Sequence, residues 1–159
     1  MRMIPALCLL GLAATPLSAQ APKRMGPPEL PIAASVEVPA DSRLIYVSGQ
    51  VPDVANSAAS EGNVERFGDT EAQTRSVIRK IEGVLKQHGL GLSDVVMMRV
   101  FLVAPPGQPR MDFAGMMRAY RAFFGTPAQP NKPARSTMQV GGLVDSGWLV
   151  EIEVTAAKK

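Results

Sequence analysis

The sequence predicts an α+β domain of two layers, in which two helices cover one face of a mixed β-sheet. Segments rich in β-branched and aromatic residues alternate with two segments of helical periodicity, in the order β, β, α, β, α, β, β. The chain has 159 residues, of which 46% are hydrophobic, so it is long enough for one domain with a substantial core. Two helices in this order pack against one face of a small sheet.

The first residues are predicted to precede the folded domain. A short basic start is followed by an apolar stretch from Ile4 to Leu17 and then by small residues, which is the pattern of a secretory signal peptide over 1–19. Cleavage at 21 is the alternative, although Pro22 would then follow the cut. Because the apolar stretch is too short for a stable membrane anchor, the sequence predicts a periplasmic or secreted protein.

A leader and two strands are expected next. Residues 20–33 are rich in proline and small residues, and they predict a flexible leader before a single domain over 34–157. A short strand is predicted at Ser35–Val38. A stronger one is predicted at Leu44–Gln50, which is rich in β-forming residues and ends before Pro52.

The sequence predicts two helices. Asp69 or Thr70 begins the first, whose apolar residues recur on one side, and Gly89 ends it in the manner of a left-handed cap. The second is predicted over Met111–Phe124. Its methionine and aromatic side chains share one side of the helix, and this spacing predicts a place in the core.

The strand predicted over Asp94–Val103 is apolar on both faces. Val96, Met98, Val100 and Leu102 form one face, and the other consists of Val95, Met97, Arg99, Phe101 and Val103. A two-layer monomer would leave one of these faces in water, and an apolar patch of this kind marks an interface. The sequence therefore predicts a homo-oligomer that covers the open face of the sheet.

The last two strands carry the charges that suggest a site. In Pro133–Val140, Arg135 and Thr137 share one face, and in the strand beginning at Leu149 the carboxylate of Glu151 faces away from the apolar residues. We expect Arg135, Glu151 and Ser48 to lie together on the open face, at a subunit boundary. An arginine can bind a carboxylate there while a glutamate handles a proton.

Several kinds of chemistry find no support in the composition. Cys8 lies in the predicted signal peptide, so the mature chain would have no thiolate nucleophile, disulfide or cysteine metal site. His88 is the one histidine and lies at a helix end, which is a poor basis for a metal site or a Ser-His-Asp triad. The net charge is +3 without a run of basic residues, so no nucleic-acid partner is expected.

Four strings together resemble the Rid family of reactive intermediate deaminases. They are Tyr46–Pro52, Glu71–Arg75, Pro133–Thr137 and Val150–Val154. The resemblance implies a chorismate-mutase-like fold and a homotrimer with clefts between subunits. It also implies hydrolysis of small 2-imino and 2-enamino acids to 2-keto acids and ammonia, without a metal or an organic cofactor. Arg135 would hold the substrate carboxylate, and Glu151 would position or activate water. Ser48, Gly49 and Thr137 would line the substrate pocket.

Three positions depart from the family pattern and predict a divergent member. Ser35 stands where the family has a pocket tyrosine, Met117 where it has an asparagine, and Thr137 where it has a cysteine. Two functions stay open on this basis. One is an imine or enamine deaminase. The other is a non-catalytic trimer that binds small carboxylates or acts as a holdase. An endoribonuclease is disfavoured because no histidine lies on the strands to act as a general base.

Overall fold

A four-stranded sheet and two helices form the core of the structure, a computed structural model that describes residues 20–159. The predicted signal peptide over 1–19 lies outside the described residues. Two single 3₁₀ turns, Val64–Arg66 and Leu92–Asp94, join longer elements. In chain order these are β1 (Lys23–Met25), β2 (Ser35–Glu37), β3 (Arg43–Gln50), α1 (Thr70–Gln87), β4 (Val95–Leu102), α2 (Phe113–Tyr120), β5 (Ala134–Gln139) and β6 (Val150–Lys158).

Both helices begin at an aspartate cap. The Asp69 carboxylate accepts a hydrogen bond from the Ala72 amide at 2.8 Å, and the Asp112 carboxylate accepts one from the Gly115 amide at 2.8 Å. α1 ends before Gly89, which has a φ of +67°, as the sequence predicted. α2 is shorter than predicted and ends at Tyr120. None of the helices within residues 20–159 is both long and apolar enough to cross a membrane.

The main sheet has the strand order β3-β6-β4-β5. β6 pairs antiparallel with both neighbours, whereas β4 and β5 are parallel, so the sheet is mixed as predicted. Both helices pack on one of its faces, where Met98, Val100 and Leu102 are fully buried. On the open face, Met97 and Phe101 are only half-buried and Arg99 is exposed. The two-layer α+β fold is therefore confirmed.

The segment before β2 contains a strand that the sequence analysis did not assign. β1 pairs antiparallel with β2, and one Arg24 Nη donates to the Ser93 and Val95 carbonyls at 2.8 and 3.2 Å. Three residues are too few to show a periodicity, and the proline-rich surroundings indicate a loop, which explains the omission. The strand β1 corrects the element order, while the flexibility of the leader and the boundaries of the domain stay predictions.

Candidate functional site

The sheet register separates the two charged residues that the sequence placed together. Arg135 is level with Met98 on the neighbouring strand, and Glu151 is level with Phe101. Paired residues of adjacent strands share a face. Arg135 and Thr137 therefore lie on the side covered by helices, and Glu151 lies on the open face.

The prediction of one common face for Arg135, Glu151 and Ser48 is thus wrong. Alternation correctly sorts the residues within each strand, and Glu151 does face away from Val150 and Ile152. Alternation does not say which face of one strand matches which face of the next, because a shift of one residue exchanges the faces. The pairing of β5 with β4 decides this, and it turns Arg135 toward α2.

Arg135 lies over an aromatic ring at the edge of the sheet. Its guanidinium carbon is 4.3 Å from the centre of the Tyr120 ring, and its Nη2 donates to the Met117 sulfur at 3.2 Å. The Tyr120 hydroxyl donates to the Pro31 carbonyl at 2.9 Å, which fixes the ring. We call the group of Met117, Tyr120, Arg135 and Thr137 the arginine edge.

Burial governs the electrostatics of the arginine edge. Burial lowers the pKa of Arg135, the Tyr120 hydroxyl opposes this change, and the like charge of Arg121 lowers that pKa further. Burial also raises the pKa of Tyr120 to about 12, against the opposing effect of Arg135. At neutral pH the pair is therefore a cation over a neutral phenol.

Two polar atoms of the arginine edge have no hydrogen-bond partner within residues 20–159. They are Nη1 of Arg135 and Oγ1 of Thr137, and both are inaccessible to solvent. Buried polar groups in native proteins are nearly always paired. A thioether is also a weak acceptor for the other guanidinium nitrogen. In the part of the chain that the structure describes, the arginine edge therefore holds buried donors without an anionic acceptor.

The predicted residues Ser48 and Gly49 lie elsewhere, in a bulge between β3 and β6, where Gly49 approaches Glu151. Val47 pairs with Val154 and Gln50 pairs with Ile152, so one extra residue of β3 is accommodated between these pairs. A Cβ built on Gly49 would lie 1.9 Å from Oε1 of Glu151, so only glycine leaves room for the carboxylate where it stands. We call this group the glutamate end.

A shallow cavity of about 220 Å³ adjoins the glutamate end on the open face. Ser48 is exposed at its rim, and Arg99 pairs with Glu153 beneath it at 2.6 Å. Arg135 forms no ion pair with Glu151 or Glu153 among the described residues, and Glu153 pairs with Arg99 instead.

The arginine edge and the glutamate end are too far apart to hold one small molecule within a single chain. β5 and β6 are separated by β4, which places them about 10 Å apart. Met98 pairs with Arg135 on β5 and with Val154 on β6, so Arg135 and Val154 lie at the same level of the sheet. Glu151 lies about 10 Å from that level along β6. Their side chains also leave the sheet in opposite directions. Within one chain, the two groups therefore do not face a common small molecule.

The departures from the family pattern fall in different places. Met117 is 8% exposed and contacts Arg135, and Thr137 lies beside Arg135, whereas Ser35 is exposed on β2. Sequence reasoning assigned Tyr120 to the core alone and missed it as the support of Arg135. No spacing in the sequence indicates that contact. Within residues 20–159, no group of three or more His, Cys, Asp or Glu side chains is arranged to hold a metal ion.

Comparison with known sequences identifies relatives over most of the chain. A family model described as endoribonuclease L-PSP matches residues 28–158. A RutC family protein of Pyrococcus abyssi is 32% identical over 140 residues, which is 88% of this chain and 93% of the relative. A RutC family protein of Haemophilus influenzae is 33% identical over 116 residues, which is 73% of this chain and 80% of the relative.

Solved structures give the same result. The Rid family protein YyfB of Yersinia pestis has a TM-score of 0.65 and 25% identity, over 87% of this chain and 100% of that one. TdcF of E. coli, solved with bound serine, has a TM-score of 0.58 and 26% identity, over 86% of this chain and 99% of that one. With the sequence matches and the shared fold, these likenesses show that the chain belongs to the Rid family, which includes the endoribonuclease L-PSP and RutC relatives.

Proposed function

We propose that this protein hydrolyses reactive 2-imino and 2-enamino acids to 2-keto acids and ammonia, in clefts between the subunits of a homotrimer. The observation that carries the proposal is the guanidinium of Arg135. It is held over Tyr120, and its Nη1 is buried without a partner among the described residues. A buried cation is stabilised when an anion accepts its hydrogen bonds, and a carboxylate matches the planar fork of arginine.

Glu151 is proposed to handle the proton. It removes a proton from water as the water oxygen bonds to the imine carbon, and this proton is passed to the imine nitrogen. In the resulting tetrahedral carbinolamine the hydroxyl proton moves to nitrogen as the C–N bond breaks, which leaves a carbonyl group and ammonia. An enamine first takes a proton on carbon and gives one up from nitrogen, which makes it the imine. Because an imine carbon is already electrophilic, positioning and one proton relay suffice, and no cofactor is required.

The separation of the two half-sites supports a cleft between copies. We propose that Arg135 of one subunit and Glu151 of a neighbouring subunit face the same ligand, with Ser48, Gly49 and Thr137 lining the pocket. The apolar residues of the open face favour burial against another copy, since Met97 and Phe101 are half-buried in the single chain. The serine bound to TdcF is a small molecule with a carboxylate, and it supports a ligand of this class.

One observation favours a second candidate, a non-catalytic trimer that binds small carboxylates or acts as a holdase. Met117, which stands where the resemblance to the family implies an asparagine, accepts from Arg135 through its sulfur. A thioether does not donate a hydrogen bond to a substrate nitrogen or oxygen. The arginine edge of such a protein would retain a carboxylate without supporting the chemistry.

The predicted signal peptide bears on the source of the substrate. We propose that the chain is a divergent, exported member of the family that acts in the periplasm or outside the cell. Imines would then come from an amino-acid oxidase or dehydrogenase in the same compartment.

An assay on the purified mature protein tests the proposal. An amino-acid oxidase generates imines in the presence of semicarbazide, and hydrolysis by the protein lowers the yield of semicarbazone. We expect Arg135→Ala to lose activity by at least about a hundredfold, because the carboxylate loses a charge-assisted pair. Arg118→Ala, which removes an exposed arginine paired with Glu71, is the matched control and should keep activity.

The outcomes separate the two candidate functions. Full activity in Arg135→Ala, with an unchanged circular dichroism spectrum, would make Arg135 a structural residue and overturn the proposed site. Wild-type protein that is folded but accelerates no imine would instead favour the binding protein.

A further inference from the structure

The chain just before β2 supports the ring on which Arg135 lies. We call residues 28–33 the proline segment. Its Pro31 carbonyl accepts the hydrogen bond of the Tyr120 hydroxyl at 2.9 Å, and the guanidinium carbon of Arg135 is 4.3 Å from the centre of the Tyr120 ring. Because the hydroxyl finds its acceptor in the proline segment, the position of that segment bears directly on the ring that carries Arg135.

The proline segment also pairs with the start of β5. The Ala33 amide donates to the Pro133 carbonyl at 3.0 Å, and Ala33 forms a parallel bridge with Ala134. Arg135 is the next residue of β5, so this backbone contact lies directly before it in the strand. The segment therefore reaches the arginine edge twice, once through Tyr120 and once through the strand that carries Arg135.

Lys132 binds the proline segment. Its ammonium group donates to the Pro28 carbonyl at 2.9 Å and to the Leu30 carbonyl at 2.7 Å. A Cβ built on Gly125 would lie 3.3 Å from Cδ of Lys132, and Gly125 has a φ of +70°, which glycine adopts readily. The lysine stem therefore lies against the turn that follows α2, while its charged end is bound to the backbone of the proline segment.

We propose that Lys132 is a positioning residue of the arginine edge. By holding the proline segment, it fixes Tyr120 and the first residues of β5, and these contacts place the guanidinium of Arg135 for the substrate carboxylate. The inference rests on the proposed function, because it assigns the carboxylate to Arg135. An ammonium group forms charge-assisted hydrogen bonds with carbonyls, and the fixed φ angles of Pro28 and Pro31 lower the entropy cost of ordering the segment.

A purely structural role for Lys132 makes a different prediction. The loss of its two carbonyl bonds would then lower the free energy of unfolding and leave substrate binding unchanged. Arg135 pairs with the carboxylate both before and during the reaction, so a misplaced guanidinium raises KM and leaves kcat nearly the same. The division of the effect between KM and kcat therefore separates the two roles.

The test compares Lys132→Met with Lys158→Met. Lys158 likewise donates to a backbone carbonyl, that of Gly89 after α1, at 3.0 Å, so both changes remove one charge and keep an unbranched stem. In the semicarbazone assay we expect Lys132→Met to raise KM about fivefold and to keep kcat within about twofold, because the guanidinium is displaced and still present. Lys132→Arg, which keeps the donors, should restore KM. An unchanged KM in Lys132→Met, or an equal rise in Lys158→Met, would overturn the inference and leave the deaminase proposal standing.

A binding measurement covers the case in which no imine is hydrolysed. Isothermal titration calorimetry with the 2-keto acid 2-oxobutyrate reports carboxylate binding without chemistry. We expect Lys132→Met to bind it about fivefold more weakly than wild type, and Lys158→Met to bind it equally well. If the wild-type protein hydrolyses no imine, the proposed function fails, yet this loss of affinity would still uphold Lys132 as a positioning residue. Equal affinities in wild type and Lys132→Met, or a wild-type protein that binds no 2-oxobutyrate, would overturn it.

Hydrogen exchange on the wild-type protein tests the same coupling without a variant. If the placement of the proline segment favours binding at Arg135, the ligand must in turn stabilise the segment. We expect saturating 2-oxobutyrate to slow exchange of the Ala33 amide about fivefold. The Gly89 amide, which donates to the Lys86 carbonyl at 3.0 Å, is the control and should exchange as before. An Ala33 amide whose exchange the bound ligand leaves unchanged would overturn the inference.

Discussion

The arginine edge and the glutamate end are built by different means. At the arginine edge, packing fixes the functional group, since Arg135 lies on the ring of Tyr120, which is 1% exposed. At the glutamate end, a backbone irregularity does so, since the β3 bulge brings Gly49 under the carboxylate of Glu151. One group offers buried donors without an acceptor, and the other offers an acceptor on an open face.

This difference teaches that, within residues 20–159, the donors and the acceptor that the proposed reaction needs lie on opposite faces of the sheet. A donor that is buried and immobile binds an anion at little cost in side-chain entropy. A carboxylate on an open face keeps its solvation until another surface covers it. If the proposed cleft between subunits is right, the two groups act together only after association, and each can be disabled without the other.

Mixing two inactive variants gives the largest expected effect. We expect Arg135→Ala and Glu151→Ala each to lose at least about a hundredfold in deaminase rate, because each removes one half of the site. Co-refolding them in equal amounts should restore about a quarter of the wild-type rate. In a ring, a random quarter of the boundaries joins an intact Arg135 to an intact Glu151. The semicarbazone assay on the mixture, against each variant refolded alone, measures this.

The mixing experiment has a clear contrary result. If both residues of one site came from the same chain, every site in the mixture would lack one of them, and the rate would stay at the level of the single variants. Native mass spectrometry on subunits of different mass serves as the control, since it shows whether mixed oligomers formed.

Alkaline pH is expected to destabilise the arginine edge, because it deprotonates Tyr120, on whose ring Arg135 lies. Burial raises the pKa of Tyr120 from 10.0 to about 12, so the folded protein holds the phenol proton more tightly than the unfolded chain does. The contribution of the protonated phenol to the free energy of unfolding is therefore fully present below pH 10. It is lost as the pH rises toward 12, and the loss amounts to up to about 3 kcal/mol.

Urea unfolding of wild type and Tyr120→Phe on both sides of pH 10 measures this loss. At neutral pH the variant should be less stable by about 1 kcal/mol, since it loses the hydroxyl bond to Pro31. As the pH rises, the difference should shrink and then reverse. A difference that stays constant with pH would mean that the phenol is more hydrated than its position indicates.

The fold was largely predictable from the sequence, because helical periodicity and caps are local. Asp69 and Gly89 bound α1 as predicted, and the mixed sheet has its helices on one face. The strand β1 was missed because three residues are too few to show a pattern. The helix α2 was predicted too long because its row of aromatic residues continues past the last helical residue. Phe124 lies beyond that residue and is still buried. Side chains in a turn can pack in the core as helical ones do.

The grouping of the candidate residues was predictable only in part. Gly49, which follows Ser48 in the β3 bulge, lies against Glu151, and Thr137 shares a face with Arg135. The relative position of the two groups depends on the pairing of β5 with β4. That register is set by packing across the whole sheet, so alternation within one strand does not reveal it.

A methyl group at position 49 tests the glutamate end alone. Gly49 does not have a positive φ, so Gly49→Ala is compatible with its backbone, and the clash falls on the end of the flexible Glu151 side chain. We expect the free energy of unfolding to change by less than about 1 kcal/mol. The deaminase rate should fall about tenfold, because the carboxylate must move from its position. An unchanged rate would show that the bulge does not position Glu151.

Removing one hydroxyl at the arginine edge gives the smallest expected effect and separates binding from stability. The Thr137 hydroxyl is buried without a partner among the described residues, so its desolvation is not compensated in the single chain. Thr137→Val keeps the shape, and we expect the free energy of unfolding to stay the same or rise by up to about 1 kcal/mol. If the hydroxyl contacts the ligand, KM for the imine should rise several-fold in the same variant, because a ligand hydrogen bond is lost. Thr137→Ser is the matched control, since it keeps the hydroxyl. A variant that is less stable and has an unchanged KM would mean that the hydroxyl bonds within the folded protein, and the arginine edge would then hold its ligand through Arg135 without Thr137.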